Sequence, residues 1–287
     1  MKKILQIDGG GIKGIIPAAA CSLIERFCHK PIYEIFDLIA GTSTGAILGS
    51  QLAAGVSAKA CEGLYVNKGP EIFKPRSMFL PTNWLKPKYD RMKVLDNMGA
   101  SFMNNSSLNT NSPLMSSLLT KFMCTAVSVV DERTHYFKSW EEKDGSATVL
   151  NMVSRSFAAP YYFGAIVDPL EKQVWIDGGS GEDNCTVRDC LIEGMRQKWL
   201  KNEGVYILSL GCGYSKSGMS YDKASHIGTI GEVKEYINLA RRQSISNQIE
   251  EVKAVSQEFN GLVQIDRLDI EIPKAWDELD AIKYVPQ

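Results

Sequence analysis

The chain has 287 residues, 44% hydrophobic and 23% charged, with a formal net charge of -1. That composition suits a soluble globular protein with a large core and excludes a disordered or collagen-like chain. Near-neutrality removes any global attraction to nucleic acid or an anionic membrane, so such a contact has to be a local patch.

Seven cysteines (Cys21, Cys28, Cys61, Cys124, Cys185, Cys190, Cys212) are scattered and form no C-x-x-C pair. This argues against a zinc or redox centre and for a reducing compartment. Met1-Lys2-Lys3 has the charge of a signal-peptide start, but Asp8 and three glycines follow Ile4 to Ile7 at once. No apolar h-region is left. The best candidate span, Ile39 to Ala54, is interrupted by Thr, Ser, Gln and Gly, short of what crosses a bilayer. A cytoplasmic location is expected.

Lys3 to Ile7 reads as a first strand and Ile15 to Cys28 as a helix with Pro17 in its first turn. Asp8-Gly9-Gly10-Gly11-Ile12-Lys13-Gly14 joins them. Strand, glycine-rich turn and helix place backbone N–H groups where an anion can sit. Gly9, Gly11 and Gly14 fit the G-x-G-x-x-G dinucleotide pattern. That reading needs a carboxylate at the end of the next strand to hold the ribose, and Ile39-Ala40-Gly41-Thr42 has none. The competing reading is an oxyanion hole, where glycine amides hold the negative oxygen formed when a serine attacks an ester.

Pro31 to Phe36 is a short helical turn leading to the strand Leu38-Ile39-Ala40. Gly41-Thr42-Ser43-Thr44-Gly45 follows with G-x-S-x-G spacing, then a helix from Ala46 to Ala54. A nucleophilic serine needs such a tight strand-to-helix turn. The N-terminus of that helix favours negative charge at Ser43. An ordinary turn with small residues uses the same pentapeptide, so its meaning depends on its neighbours. One neighbour is the glycine turn: adjacent consecutive strands bring both turns to one sheet edge.

Ser57 reads as the N-cap of a helix to about Lys68. From Gly69 to Arg91, Pro70, Pro75, Pro81 and Pro87 break helices, and Phe73, Met78, Phe79, Leu80, Trp84 and Leu85 are interleaved with base. Between Lys68 and Lys93 seven basic residues stand against two acidic ones, Glu71 and Asp90. The stretch is either a long loop capping the core or a lid whose aromatics and cations meet lipid. Asn104 to Ser117 reads as a loop leading into a helix. Phe122 to Val130 and His135 to Trp140 read as a hairpin, and Ala147 to Phe157 as a helix. Ala165 to Val167 and Gln173 to Ile176 read as strands.

Asp177-Gly178-Gly179 closes the second of these. An Asp-Gly turn means little alone, but Ser43 needs a base. The histidines are His29, His135 and His226. The order Ser43, Asp177, His226 would suit an α/β-hydrolase triad, yet no pattern fixes His226 at a strand end. A carboxylate held near the hydroxyl serves as base directly. Val187 to Leu200 reads as a helix, Gly204 to Leu210 as a buried strand, Glu232 to Phe259 as a helix and Leu262 to Ile272 as a final strand.

The glycine turn, the Ser43 pentapeptide and Asp177-Gly178-Gly179, in this order and at these separations, resemble the patatin-like phospholipases. Lys86-Pro87-Lys88-Tyr89, Ser156-Phe157-Ala158-Ala159-Pro160 and Leu208-Ser209-Leu210-Gly211 resemble further family segments. The resemblance implies a three-layer α/β/α fold with a mainly parallel sheet and a single catalytic domain over residues 1–287. It implies hydrolysis of phospholipid acyl esters by a Ser–Asp dyad without histidine; no metal site is visible in the sequence, and no cofactor is expected. Ser43 would be nucleophile, Asp177 base and the Gly9-Gly10-Gly11 backbone the oxyanion hole. Lys13, Gly14, Gly41, Gly45, Gly178 and Gly179 would support them.

Three positions depart from the family pattern. Lys13 stands where arginine is usual, Asp183-Asn184-Cys185 where Asn-Asn-Pro is common, and Cys212 between glycines where threonine is common. Some bacterial members are effectors switched on by cyclic nucleotides in anti-phage defence, and this chain resembles them in being little more than a catalytic domain. The expected partners are a phospholipid membrane surface, met peripherally, and a cyclic nucleotide as candidate activator, with no nucleic acid polymer. Lys74, Arg76, Lys86 and Lys88 are the cations available for a phosphodiester or a headgroup. The rival expectation is a non-catalytic lipid- or nucleotide-binding protein on the same fold.

Overall fold

The computed structural model describes residues 1–76, 86–215, 233–259 and 261–284. Met78, Phe79, Leu80, Trp84, Leu85 and His226 lie outside the described residues. Strand β1 is Lys2–Ile7 and helix α1 Ile15–Cys28, followed by α2 (Ile32–Ile35), β2 (Leu38–Thr42) and α3 (Thr44–Ala53). Next come α4 (Ala58–Ile72), α5 (Arg91–Asn105), β3 (Lys121–Ser128) and β4 (Arg133–Lys138). Then follow α6 (Glu142–Gly145), α7 (Val149–Ser156), β5 (Ile166–Asp168), β6 (Gln173–Asp177), α8 (Val187–Arg196) and α9 (Trp199–Asn202). The last are β7 (Val205–Leu210), α10 (Val233–Glu258) and β8 (Val263–Leu268).

Among the described residues the strands form one eight-stranded sheet. Strands β8, β7, β1, β2 and β3 run parallel in that spatial order, and β4, β6 and β5 add antiparallel pairings at one end. The sheet is thus mixed and mainly parallel. Its central strands β2, β3 and β7 are largely buried on both faces, as their mostly apolar runs require, whereas β4, β5 and β8 are partly exposed. Alternate residues point to opposite sides. Leu5, Ile7, Ile39, Phe122, Cys124 and Leu208 meet α1, α3, α4, α5 and α7. Ile4, Leu38, Ala40, Met123, Val205 and Ile207 meet α8, α9 and α10. Helix, sheet and helix make the three layers expected. Each fully buried Ile or Leu contributes about 1.5–3 kcal/mol to holding them together.

β3 has two edges and three partners. Its residues Met123 to Thr125 pair with both β2 and β4, so those two lie on opposite edges. Its residues Ala126 to Ser128 pair with both β4 and β6. β6 therefore takes over the edge of β3 where β2 leaves it, running toward β2 from the other end.

Four local expectations are corrected. α4 continues past Lys68 to Ile72 with Pro70 inside its last turn. Packing of Ile72 and Phe73 against the core outweighs the single helix bond that a late proline removes. α5 falls where no element was assigned. Asp90 caps it by accepting from the Met92 N–H at 3.1 Å, and Val94, Met98 and Phe102 form its buried stripe. The Asn- and Ser-rich loop ends in one 3-10 turn, Met115–Ser117, rather than a helix. The helix expected over Val187 to Leu200 breaks at Lys198, whose φ of 60° is left-handed. The break turns Trp199 and Leu200 into the second core.

Candidate active site

β2 ends in a sharp turn. Ser43 has φ 56° and ψ -119°, a conformation rare for a residue with a Cβ and worth about 1–3 kcal/mol of strain. The turn is tight enough that a Cβ on Gly41 would meet the Gly45 carbonyl oxygen at 2.3 Å, and one on Gly45 would meet that of Ile7 at 2.2 Å. The glycines of the pentapeptide are thus required by contact with backbone. α3 starts at Thr44, and the Ser43 N–H donates to Ser156 Oγ at 3.0 Å.

Ser43 Oγ donates to Asp177 Oδ2 at 2.6 Å. The sheet makes this meeting: Thr42 stands opposite Thr125 and Asp177 opposite Ala126. Asp177 caps the short turn Gly178–Ser180, its Oδ1 accepting from the Gly179 N–H at 2.8 Å. Gly178 packs flat against Thr125, where a Cβ would lie 2.2 Å from the hydroxyl oxygen. The Asp177 N–H donates to the Ala158 carbonyl at 3.1 Å. Ser156 and Ala158 thus brace both halves of the pair, which is what the Ser156 to Pro160 segment does here.

Burial pushes the Asp177 carboxyl up to about 6, against the opposing pull of the Ser43 and Gly179 donors and the Arg241 charge. At neutral pH it is ionised, yet close enough to neutrality to take and return a proton. His29 caps the end of α1, and His135 Nε2 lies 2.9 Å from Asp131 Oδ2 on the β3–β4 hairpin.

The glycine-rich loop lies beside this pair, since β1 and β2 are parallel neighbours with Ile7 opposite Gly41. A Cβ on Gly9 would come within 3.2 Å of Ser43 Cβ, and one on Gly14 within 2.3 Å of Thr44 Oγ1. Gly9 corrects one expectation. Its N–H donates to the Asn184 carbonyl at 3.1 Å, and its carbonyl accepts from Asn184 Nδ2 at 3.2 Å. With that amide committed, Gly10 and Gly11 retain N–H groups without an acceptor among the described residues. Gly11 has φ 60°, and the Leu279 carbonyl oxygen lies 2.1 Å from where its Cβ would be.

Lys13 is buried and pairs with Asp277, whose other oxygen accepts from Ser215 Oγ at 2.7 Å. The Ile12 N–H donates to the Leu279 carbonyl at 2.8 Å. Arg267 grips both oxygens of Asp8, at 3.0 and 2.6 Å, and reaches Asp269 at 2.7 Å. Sequence reasoning missed Ser156, Arg267 and Asp277 as supports. Arg267 carried a signal, for it shares the inward face of β8 with Val263 and Ile265, where a charge requires a buried partner.

A narrow apolar pocket opens from Ser43. Ile47, Leu64, Ile72, Met98, Phe157 and Phe163 line it. Among the described residues no cluster of three His, Cys, Asp or Glu side chains is placed to hold a metal ion. The arrangement brings a hydroxyl and a buried carboxylate into contact beside a glycine-rich loop and an apolar pocket.

Of the expected basic surface, Lys88 pairs with Asp280 at 2.6 Å and Arg76 with Asp90 at 3.3 Å. Arg91 donates to the carbonyls of Phe163, Gly164 and Ala165. Lys88 and Arg91 pin the end of the Gly69 to Arg91 stretch to the body of the protein, and Arg76 ties the two sides of the stretch together.

Residues 5–191 match the family model described as patatin-like phospholipase, and the chain belongs to that family. It is similar to a cGAMP-activated phospholipase from Pseudomonas aeruginosa, 29% identical over 61% of this chain and 52% of that one. A protein of the same name from Escherichia coli is 26% identical over 73% of this chain and 61% of that one. A cUMP-AMP-activated phospholipase from Escherichia coli is 37% identical over 26% of this chain and 23% of that one. The chain thus spans less than two thirds of the length of each.

Proposed function

We propose that this protein is a serine acyl hydrolase that cleaves the acyl esters of phospholipids. The 2.6 Å hydrogen bond from Ser43 to Asp177, at the mouth of an apolar cavity, carries the reading. Ser43 Oγ attacks the ester carbonyl carbon while its proton passes to Asp177. The carbonyl oxygen becomes an oxyanion, and the Gly10 and Gly11 amides are the donors offered to it. Collapse expels the lysophospholipid alkoxide, which takes the proton from Asp177 and leaves an acyl-serine. Water then attacks the acyl carbon, gives a proton to Asp177, and Ser43 recovers it as the fatty acid leaves. The remaining glycines support the reaction by letting three turns approach one another closely.

The names of the relatives support a second level of the proposal, activation by a cyclic nucleotide. Peripheral contact with a membrane surface follows from the substrate; no helix among the described residues is long and apolar enough to cross a bilayer. A cytoplasmic location and a single catalytic domain complete the reading, the latter supported by one sheet that spans Lys2 to Leu268.

Labelling by a fluorophosphonate tests the nucleophile. Labelling that Ser43→Ala abolishes is expected; an unlabelled protein would instead be a lipid- or nucleotide-binding module. Activation is tested by hydrolysis of phospholipid vesicles with and without cyclic GMP-AMP and related cyclic dinucleotides. A rate that no nucleotide changes would remove the gate and leave the hydrolase.

A further inference from the structure

A second opening lies on the other side of the glycine-rich loop from the acyl cavity. Gly9 and Lys13 form one wall and α10 lends the other through Arg241, Arg242 and Ile245. Five cations and three carboxylates line this groove. Most of that charge is already matched. Arg267 holds Asp8 and Asp269, Lys13 holds Asp277, and Lys253 pairs with Glu250 at 2.9 Å. Arg241 and Arg242 remain, both half-buried and neither in an ion pair with another described residue.

Two arginines lining one groove give it positive charge, which favours an anion there. Their planar forks suit the oxygens of a phosphate, which they bind bidentately. Arg241 is near enough to the dyad for its charge to favour the ionised form of Asp177. The groove therefore approaches the reacting centre.

The two openings differ in character. The cavity beside Ser43 is walled by Leu64, Met98 and Phe157; the groove beside Gly9 presents two arginines that form no ion pair with another described residue. A glycerophospholipid is divided in the same way, with hydrocarbon on one side of the scissile ester and a phosphodiester on the other. We propose that Arg241 and Arg242 bind the phosphodiester of the substrate while its acyl chain fills the apolar cavity and its ester lies at Ser43. The arginines then distinguish phospholipids from neutral acyl esters. This rests on the hydrolase reading above. A free nucleotide offers the same phosphodiester chemistry, so the test separates the two sources.

Dihexanoylphosphatidylcholine and dihexanoylglycerol carry the same acyl chains and differ in the headgroup phosphodiester. Hydrolysis of each is measured with cyclic GMP-AMP present and absent. The unmodified protein is expected to prefer the phospholipid in kcat/KM. The double variant Arg241→Ala, Arg242→Ala is expected to lose about tenfold or more of that preference, the scale of one charge-assisted contact. The double variant Arg241→Lys, Arg242→Lys keeps the charges and is expected to restore most of it. Thermal melting of both variants is compared, so that a loss from misfolding, which would affect both substrates, is told apart from a loss of selectivity. A preference unchanged in the alanine variant overturns the proposal. So does an intact preference with a lost nucleotide response, which makes a free nucleotide the ligand of these arginines. If the unmodified protein hydrolyses neither ester, the hydrolase reading has failed and this proposal falls with it. If it hydrolyses both without preference, the proposal alone fails.

Discussion

Thr42 and Asp177 occupy consecutive places along one edge of β3, opposite Thr125 and Ala126. β2 and β6 arrive from opposite directions and stop against each other there. The separation of Ser43 and Asp177 is thereby set by sheet backbone, and the side chains need only short reaches to meet. Asp177→Asn keeps the shape and removes the base, so kcat for a short-chain ester is expected to fall by about 10²–10⁴-fold with KM little changed. Asp177→Glu restores the charge but pushes it one methylene too far, and partial activity is expected. Stopped-flow assays on the purified variants check both; full activity in the asparagine variant would remove Asp177 from the mechanism.

Activity is expected to depend on pH through the same carboxylate. Burial raises Asp177 to about 6, so the base form fills as pH climbs through that value. kcat/KM is expected to drop about tenfold per pH unit below it. Ser43 and Arg241 both pull the value down. Carbon-13 NMR of the carboxylate is accordingly expected to show a higher value in Ser43→Ala, and Arg241→Ala is expected to move the acid limb upward. A limb at the ordinary aspartate value would contradict the assignment.

Arg267 and Asp8 form a different kind of test. Asp8 is buried and Arg267 nearly so, and the pair anchors the start of the glycine-rich loop. Arg267→Met leaves a buried carboxylate without its partner, which costs about 3–5 kcal/mol. Urea unfolding is expected to show a lowered midpoint, with hydrolysis falling too because the loop loses its anchor. A variant as stable as the parent would mean that the Arg267–Asp8 pair does not hold the loop.

Asp189 lies mostly buried beside Asp183, and burial with that neighbouring charge raises it to about 7. Its folded value exceeds its unfolded one, so the protonated form is the one folding favours. Stability from this group is present at low pH and is lost as pH rises through about 7. Asp189→Asn is expected to unfold at higher temperature than the parent at pH 8 and to flatten the dependence. Calorimetry between pH 5 and 8 checks it; parallel curves for the two proteins would refute it.

Much of the site was legible because its chemistry forces local patterns. A serine on a sharp turn needs small neighbours, so Gly41 and Gly45 announce it. An acid at a strand end needs room to turn, so Gly178 and Gly179 follow it. Partners brought from far along the chain leave no such trace. Nothing near Gly9 foretells that Asn184 takes its amide, and nothing near Lys13 names Asp277. α5 was hidden for a different reason: its apolar stripe is thin, and the prolines and bases before it dominate the composition. The cations legible in the Gly69 to Arg91 stretch are largely matched by Asp90, Asp280 and carbonyl groups, whereas Arg241 and Arg242 sat unremarked on a helix of mixed charge.

The carbonyl of Leu279 and the carboxylate of Asp277 hold Ile12 and Lys13 in the loop that faces Ser43. Synthesis runs from the other end. Ser43 and Asp177 leave the ribosome well before the residues that fasten the loop beside them, so a growing chain carries this pair before it carries the contacts that fix the glycine-rich loop. The proposed site is thus completed only once residues 277–279 have been made. A form ending at Pro273 is accordingly expected to bind lipid and hydrolyse it poorly, and full activity in that form would show that the loop sets itself.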